Sequence, residues 1–118
     1  MDELLIVQAE QPLCIQTTLR IIGDKWTAKI LRDLNADINT FSALETSLES
    51  ISPRTLSQRL DMLETEQIVT KVQYCERPPR YKYVLTDKGQ ELQNVTQKMA
   101  EWGGRYYAST DKLDNPCD

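Results

Sequence analysis

Between Phe41 and about Gln67 the chain places two helical stretches nearly end to end, with only Glu49 to Ile51 to join them. Thr40 can cap the first, whose apolar positions Phe41, Leu44 and Leu48 step by three and four. Ser52 followed by Pro53 starts the second, because a proline at the first helical position lacks only an N–H that would go unbonded anyway. On this second helix Leu56, Leu60 and Leu63 share a narrow arc and face a core, while Arg54, Gln58 and Asp61 occupy the opposite arc with Thr55, Ser57 and Met62 at its edges. Two helices joined by a tight turn, the second with an exposed polar face, form a helix-turn-helix.

The flanking segments extend this unit. From Leu13, the residues Ile15, Leu19, Ile22 and Trp26 recur at helical spacing and predict a helix with one buried stripe. Gly23 stops it, and Asp24 caps a following helix, about Lys25 to Asn35, that buries Trp26, Ile30, Leu31 and Leu34. After the polar helix come "IVTKVQYC" and "RYKYVL", two β-branched and aromatic runs that predict an antiparallel hairpin around "ERPP". A short strand near Ile38 is expected beside it. Thr86 and Asp87 open a last long helix in which Leu92, Val95, Met99, Trp102 and Tyr106 form a seam suited to a partner helix. The fold class is mainly α with a small β-hairpin (α+β), a winged helix-turn-helix. Residues 1–12 are read as an N-terminal arm, 13–107 as the domain with its C-terminal helix at about 86–107, and 108–118 as a flexible tail.

Composition narrows the function. The chain has 118 residues, no histidine and three cysteines, Cys14, Cys75 and Cys117, without a CxxC pair. A zinc site and a disulfide scaffold are not expected, and the commonest general base is missing, so no catalytic residues, metal or cofactor are assigned. The start lacks the basic segment of a signal peptide and no run is long enough to span a bilayer, which predicts a cytoplasmic protein with no membrane partner. Net charge is −4, yet residues 51–82 hold six basic and four acidic side chains. Only this middle segment is basic.

The segments "CIQTTLRIIGDKWTAKILRDL", "FSALETSLESISPRTLSQRLDMLETEQIV", "ERPPRYKYVLTDKGQEL" and "MAEWG" closely resemble the HxlR-type winged-helix transcriptional regulators of bacteria and archaea. The resemblance covers roughly Leu13 to Trp102. It implies a homodimer, with dimerisation helices at both ends of the domain, that binds double-stranded DNA at paired half-sites and often responds to oxidants or electrophiles. Two departures stand out: Cys14-Ile15 where the family often reads Cys-Pro, and Gly23-Asp24 where it often reads Gly-Gly.

Each candidate residue has a physical reason. Ser52, Arg54, Thr55, Ser57, Gln58 and Arg59 lie at or near the start of the polar helix, where side chains reach base edges in the major groove. Arginine can fork onto guanine and glutamine onto adenine. Arg59, nearer the core side, suits a phosphate contact or an intramolecular ion pair instead. In the wing, Arg77 and Arg80 flank Pro78-Pro79, expected to hold the loop extended, and Lys82 lies close by. Lys25 is placed to meet the DNA backbone. Cys14 is the candidate redox sensor, Cys75 is read as structural and Cys117 as incidental. The seam from Leu92 to Tyr106 is assigned to the dimer interface. The expectation is a non-catalytic, sequence-specific DNA-binding regulator acting as a repressor; the alternatives are a winged-helix module that docks proteins and, more distantly, a thiol-redox enzyme.

Overall fold

Short polar side chains start four of the five helices in the computed structural model, which describes residues 11–108, with side chains from Cys14 onward. Asp24 Oδ1 accepts the backbone N–H groups of Trp26 (2.7 Å) and Thr27 (2.8 Å) ahead of helix α2, Thr27–Asn35. The side chain of Thr40 accepts from Ala43 N at the start of α3, Phe41–Leu48, and that of Ser52 accepts from Thr55 N at the start of α4, Pro53–Thr65. The hydroxyl of Thr86 accepts from Gly89 N at the start of α5, Asp87–Tyr107. Each contact satisfies an N–H that the helix leaves without an internal partner. α2 starts at Thr27 rather than Lys25 because the two intervening residues form the capping turn.

The first helix, α1, spans Gln11–Ile22 and so begins two residues ahead of the expected Leu13. Its stripe does not bury as expected. Ile15 and Leu19 are 60% and 51% exposed, whereas Ile21 and Ile22 enter the core. The buried residues of α1 lie at its C-terminal end, so among the described residues nothing covers the shared face of Ile15 and Leu19. The core itself is formed by Ile30 and Leu31 of α2, Leu44 of α3, Leu56, Leu60 and Leu63 of α4, and Ile68, all at most 1% exposed. At roughly 1.5–3 kcal/mol for each large aliphatic side chain removed from water, these residues dominate the stability of the unit.

Strand β1, Val69–Glu76, pairs antiparallel with β2, Pro79–Leu85, in a two-stranded sheet with an irregularity between Gln73 and Cys75. Arg77 and Pro78 reverse the chain in two residues, and Pro79 already faces Glu76. The loop is therefore a tight turn, not the extended segment expected from its prolines. Among the described residues no strand forms at Ile38; instead Tyr83 N donates a single backbone hydrogen bond to Asn39 O (2.8 Å) while Ile38 packs on the core. Tyr83 is buried, which pushes its phenol up from the usual tyrosine range.

α5 is anchored where it leaves the sheet. The Thr86 hydroxyl lies 2.7 Å from Gln67 O, and Thr86 N donates to Ile68 O. A methyl group on Gly89 would overlap the Ile68 carbonyl oxygen, so only glycine permits this approach. Beyond this point Gln93, Thr96 and Gly103 face the subunit, and no described helix is long and apolar enough to cross a membrane. The expected arm before Gln11, the tail beyond Ala108 and Cys117 lie outside the described residues.

Candidate nucleic-acid interface

α4 presents a polar face because its three leucines occupy the opposite side. Arg54, Ser57, Gln58 and Asp61 are exposed, and Thr55 and Arg59 lie partly buried on the flank. Ser52 is exposed too, but its hydroxyl is committed: it accepts from Thr55 N (3.0 Å) and donates to Thr55 Oγ1 (2.9 Å). Ser52 and Thr55 thus shape the start of the helix, leaving Arg54, Ser57 and Gln58 as the side chains that project from its first two turns. The turn before them bends at Glu49, which holds φ 53° and ψ −75°, a conformation that L-residues rarely adopt.

Six of the seven arginines divide into two groups, and the seventh, Arg105 on α5, is exposed with its guanidinium 5.6 Å from the centre of the Tyr106 ring. Arg20 pairs with Glu66 (3.7 Å), Arg32 with Asp33 (3.5 Å) and Arg59 with Asp24 (3.3 Å). Arg54 of α4 and Arg77 and Arg80 at the hairpin tip have no carboxylate partner among the described residues, and all three are exposed. At the start of α4 and at the hairpin tip these three cations have no salt-bridge partner among the described residues, although Glu76 is exposed beside Arg77, so their charge stays available to an anionic partner. Lys82 is half-buried on β2 opposite Val72. Lys25 is exposed, and its ammonium lies 5.0 Å from the centre of the Trp26 ring.

Sequence reasoning treated Asp24 only as a cap. In the fold it also joins α2 to α4: Oδ2 accepts the Thr27 hydroxyl and lies 3.3 Å from Arg59 Nη1. Partial burial pushes this carboxyl up, but the bonds from Thr27 and Trp26 and the Arg59 charge outweigh it, holding the group below the usual aspartate range. Of the two roles expected for Arg59, the ion pair is the one formed within the subunit. A second carboxylate missed from sequence is Asp33, buried on α2 and accepting the Ser47 hydroxyl from α3 at 2.7 Å. The only sequence cue was an aspartate between Leu31 and Leu34 on an apolar helix.

Cys14 is exposed in α1, and its carbonyl accepts the Thr18 hydroxyl (3.0 Å). Cys75 is partly buried at the end of β1, and both thiols are free. The long helix shows a second unusual surface. Leu92 is partly buried, while Val95, Met99, Trp102 and Tyr106 are 48–60% exposed, and the rings of Trp102 and Tyr106 lie 5.5 Å apart. An open cleft of about 360 Å³ between α1, the start of β1 and α5 is lined in part by Ile21, Ile68, Leu92 and Val95.

Comparison with known proteins gives a consistent result. A model of the HxlR-like helix-turn-helix family matches residues 21–111. The HTH-type transcriptional regulator YdeP of Bacillus subtilis is 33% identical over 100 residues, covering 85% of this chain and 78% of that one. YvaP of the same organism is 34% identical over 95 residues, with coverages of 80% and 88%. Among solved structures, the reduced form of the transcriptional regulator YodB from B. subtilis superposes with a TM-score of 0.67 at 30% identity, covering 78% of this chain and 90% of that one. The redox regulator HypR in its reduced form superposes with a TM-score of 0.71 at 30% identity, with coverages of 81% and 97%.

Proposed function

Since the chain belongs to the HxlR-like helix-turn-helix family of transcriptional regulators, we propose that it is a homodimeric repressor that reads paired DNA half-sites with α4 and grips the backbone with its hairpin. The observation that carries this reading is that Arg54 on α4 and Arg77 and Arg80 at the hairpin tip are exposed and have no salt-bridge partner among the described residues. Arg54 and Gln58 read base edges, with Ser57 beside them; Arg77, Arg80 and Lys82 contact the minor groove or its phosphates, and Lys25 meets the backbone. Ser52 and Thr55 contribute by fixing how α4 begins.

Dimerisation uses the apolar surface of α1 and α5. Leu92, Val95, Met99, Trp102 and Tyr106, with Ile15 and Leu19, cover one another across a twofold axis, which spaces two α4 helices by about one turn of duplex, roughly 34 Å. Oxidants or electrophiles that modify the exposed Cys14 thiol shift the dimer between geometries that do and do not match this spacing; the likeness to HypR, a redox regulator, supports this part of the reading.

Gel shifts on the DNA around the protein's own gene test the proposal. A specific complex that weakens steeply with salt and is lost in Arg54→Ala and Gln58→Ala variants that remain dimeric is the expected result. Unchanged behaviour of those variants would favour a protein-docking module instead. Cys14→Ser should bind normally but ignore diamide.

A further inference from the structure

Arg59 differs from the other basic residues of the middle segment in where its charge is held. It lies about 140° around the α4 axis from Arg54, on the flank that faces a groove wall when the helix is inserted. An arginine there has the reach to meet a phosphate. Its guanidinium instead lies 3.3 Å from Asp24 Oδ2, and its side chain is only 30% exposed. The Asp24 carboxylate is itself fixed, since it accepts Trp26 N, Thr27 N and the Thr27 hydroxyl as well as Arg59. Swinging away would leave the start of α2 uncapped, so the anion beside Arg59 is part of the fold rather than a mobile surface acid.

We propose that Asp24 is a positioning residue for DNA binding that withholds the Arg59 guanidinium from the DNA backbone and so sets how much of the affinity is independent of sequence. The inference rests on the DNA-binding reading above. Sequence-independent affinity grows with the number of phosphates neutralised, whereas base reading by Arg54 and Gln58 does not. With Arg59 engaged by Asp24, α4 enters the groove with one fewer phosphate contact per subunit. A carboxylate in the turn ahead of α2 thereby tunes the electrostatics of a side chain 35 residues further along the chain.

Salt dependence of binding to a fluorescent duplex of random sequence tests this without knowledge of the operator. Asp24→Asn retains an oxygen to cap α2 but removes the charge that holds Arg59. It should steepen the slope of log affinity against log salt by about 0.9 per bound subunit, about 3.5-fold more loss between 50 and 200 mM salt. Adding Arg59→Gln should return the slope to the wild-type value, and Arg59→Gln alone should leave it unchanged. The proposal is overturned if Asp24→Asn does not steepen the slope, if the steepening survives in the double variant, or if Arg59→Gln alone flattens it. The last arm decides the matter even if Asp24→Asn fails to fold. Wild-type protein that binds no duplex at any salt would sink the DNA-binding reading and this inference with it, an outcome distinct from the altered slopes.

Discussion

The subunit has two unfinished surfaces, and they are incomplete in different ways. Around α4 and the hairpin tip, Arg54, Arg77 and Arg80 form no salt bridge among the described residues. Along α1 and α5, Ile15, Leu19, Val95, Met99, Trp102 and Tyr106 are left exposed by the described residues. The first surface attracts over a range set by ionic screening, about 8 Å at physiological salt, and contributes little to folding. The second acts only on contact, through removal of apolar area from water, and is insensitive to modest salt. Their difference predicts that perturbing one should leave the other's readout intact, apart from the effect of dimerisation on half-site avidity.

The largest expected effect lies on the apolar side. Trp102→Ala should weaken self-association by about 2–4 kcal/mol, as for a central aromatic anchor, and sedimentation velocity should show the dimer giving way to monomer at micromolar concentration. A variant that remains as dimeric as the wild type would remove Trp102 from the interface. On the charged side, Arg54→Ala should cost about 1–3 kcal/mol of discrimination against a mutated operator, with the thermal midpoint and the dimer unchanged. Anisotropy titrations on matched and mismatched duplexes measure this directly.

Two smaller effects probe the supports beneath α4. Glu49→Gly relieves a positive φ in the turn that aims the helix and should stabilise the protein by about 1 kcal/mol in urea melts, with no change in oligomeric state. Asp24 produces an acid-dependent effect. Because its carboxyl is held below 3.8 in the fold, its stabilising contribution is present above that value and is lost as pH falls through the depressed native pKa. Urea midpoints for wild type and Asp24→Asn should therefore differ by a constant amount near neutrality and converge below about pH 4. A gap that persisted into strong acid would mean that the carboxylate charge is not what stabilises the α2–α4 junction.

The sequence alone determined the last three helices with their starts, and the hairpin between them, but not the starts of α1 and α2 or the absence of a strand at Ile38. Thr40, Ser52 and Thr86 cap the helices that their positions announced, and Leu56, Leu60 and Leu63 are buried as their spacing required, because these are interactions among neighbours a few residues apart. Arg54, Ser57 and Gln58 were legible for the same reason: the face opposite three leucines must be exposed. Tertiary structure alone decided what each face meets. Periodicity placed Ile15 and Leu19 on one side of α1 but could not say whether that side meets the subunit's own core, and it does not. Nor could it pair Asp24 with Arg59 or Asp33 with Ser47, since those partners are 35 and 14 residues apart and meet only when the helices pack. Local spacing governs which residues share a surface; only the packing of distant segments governs what that surface touches.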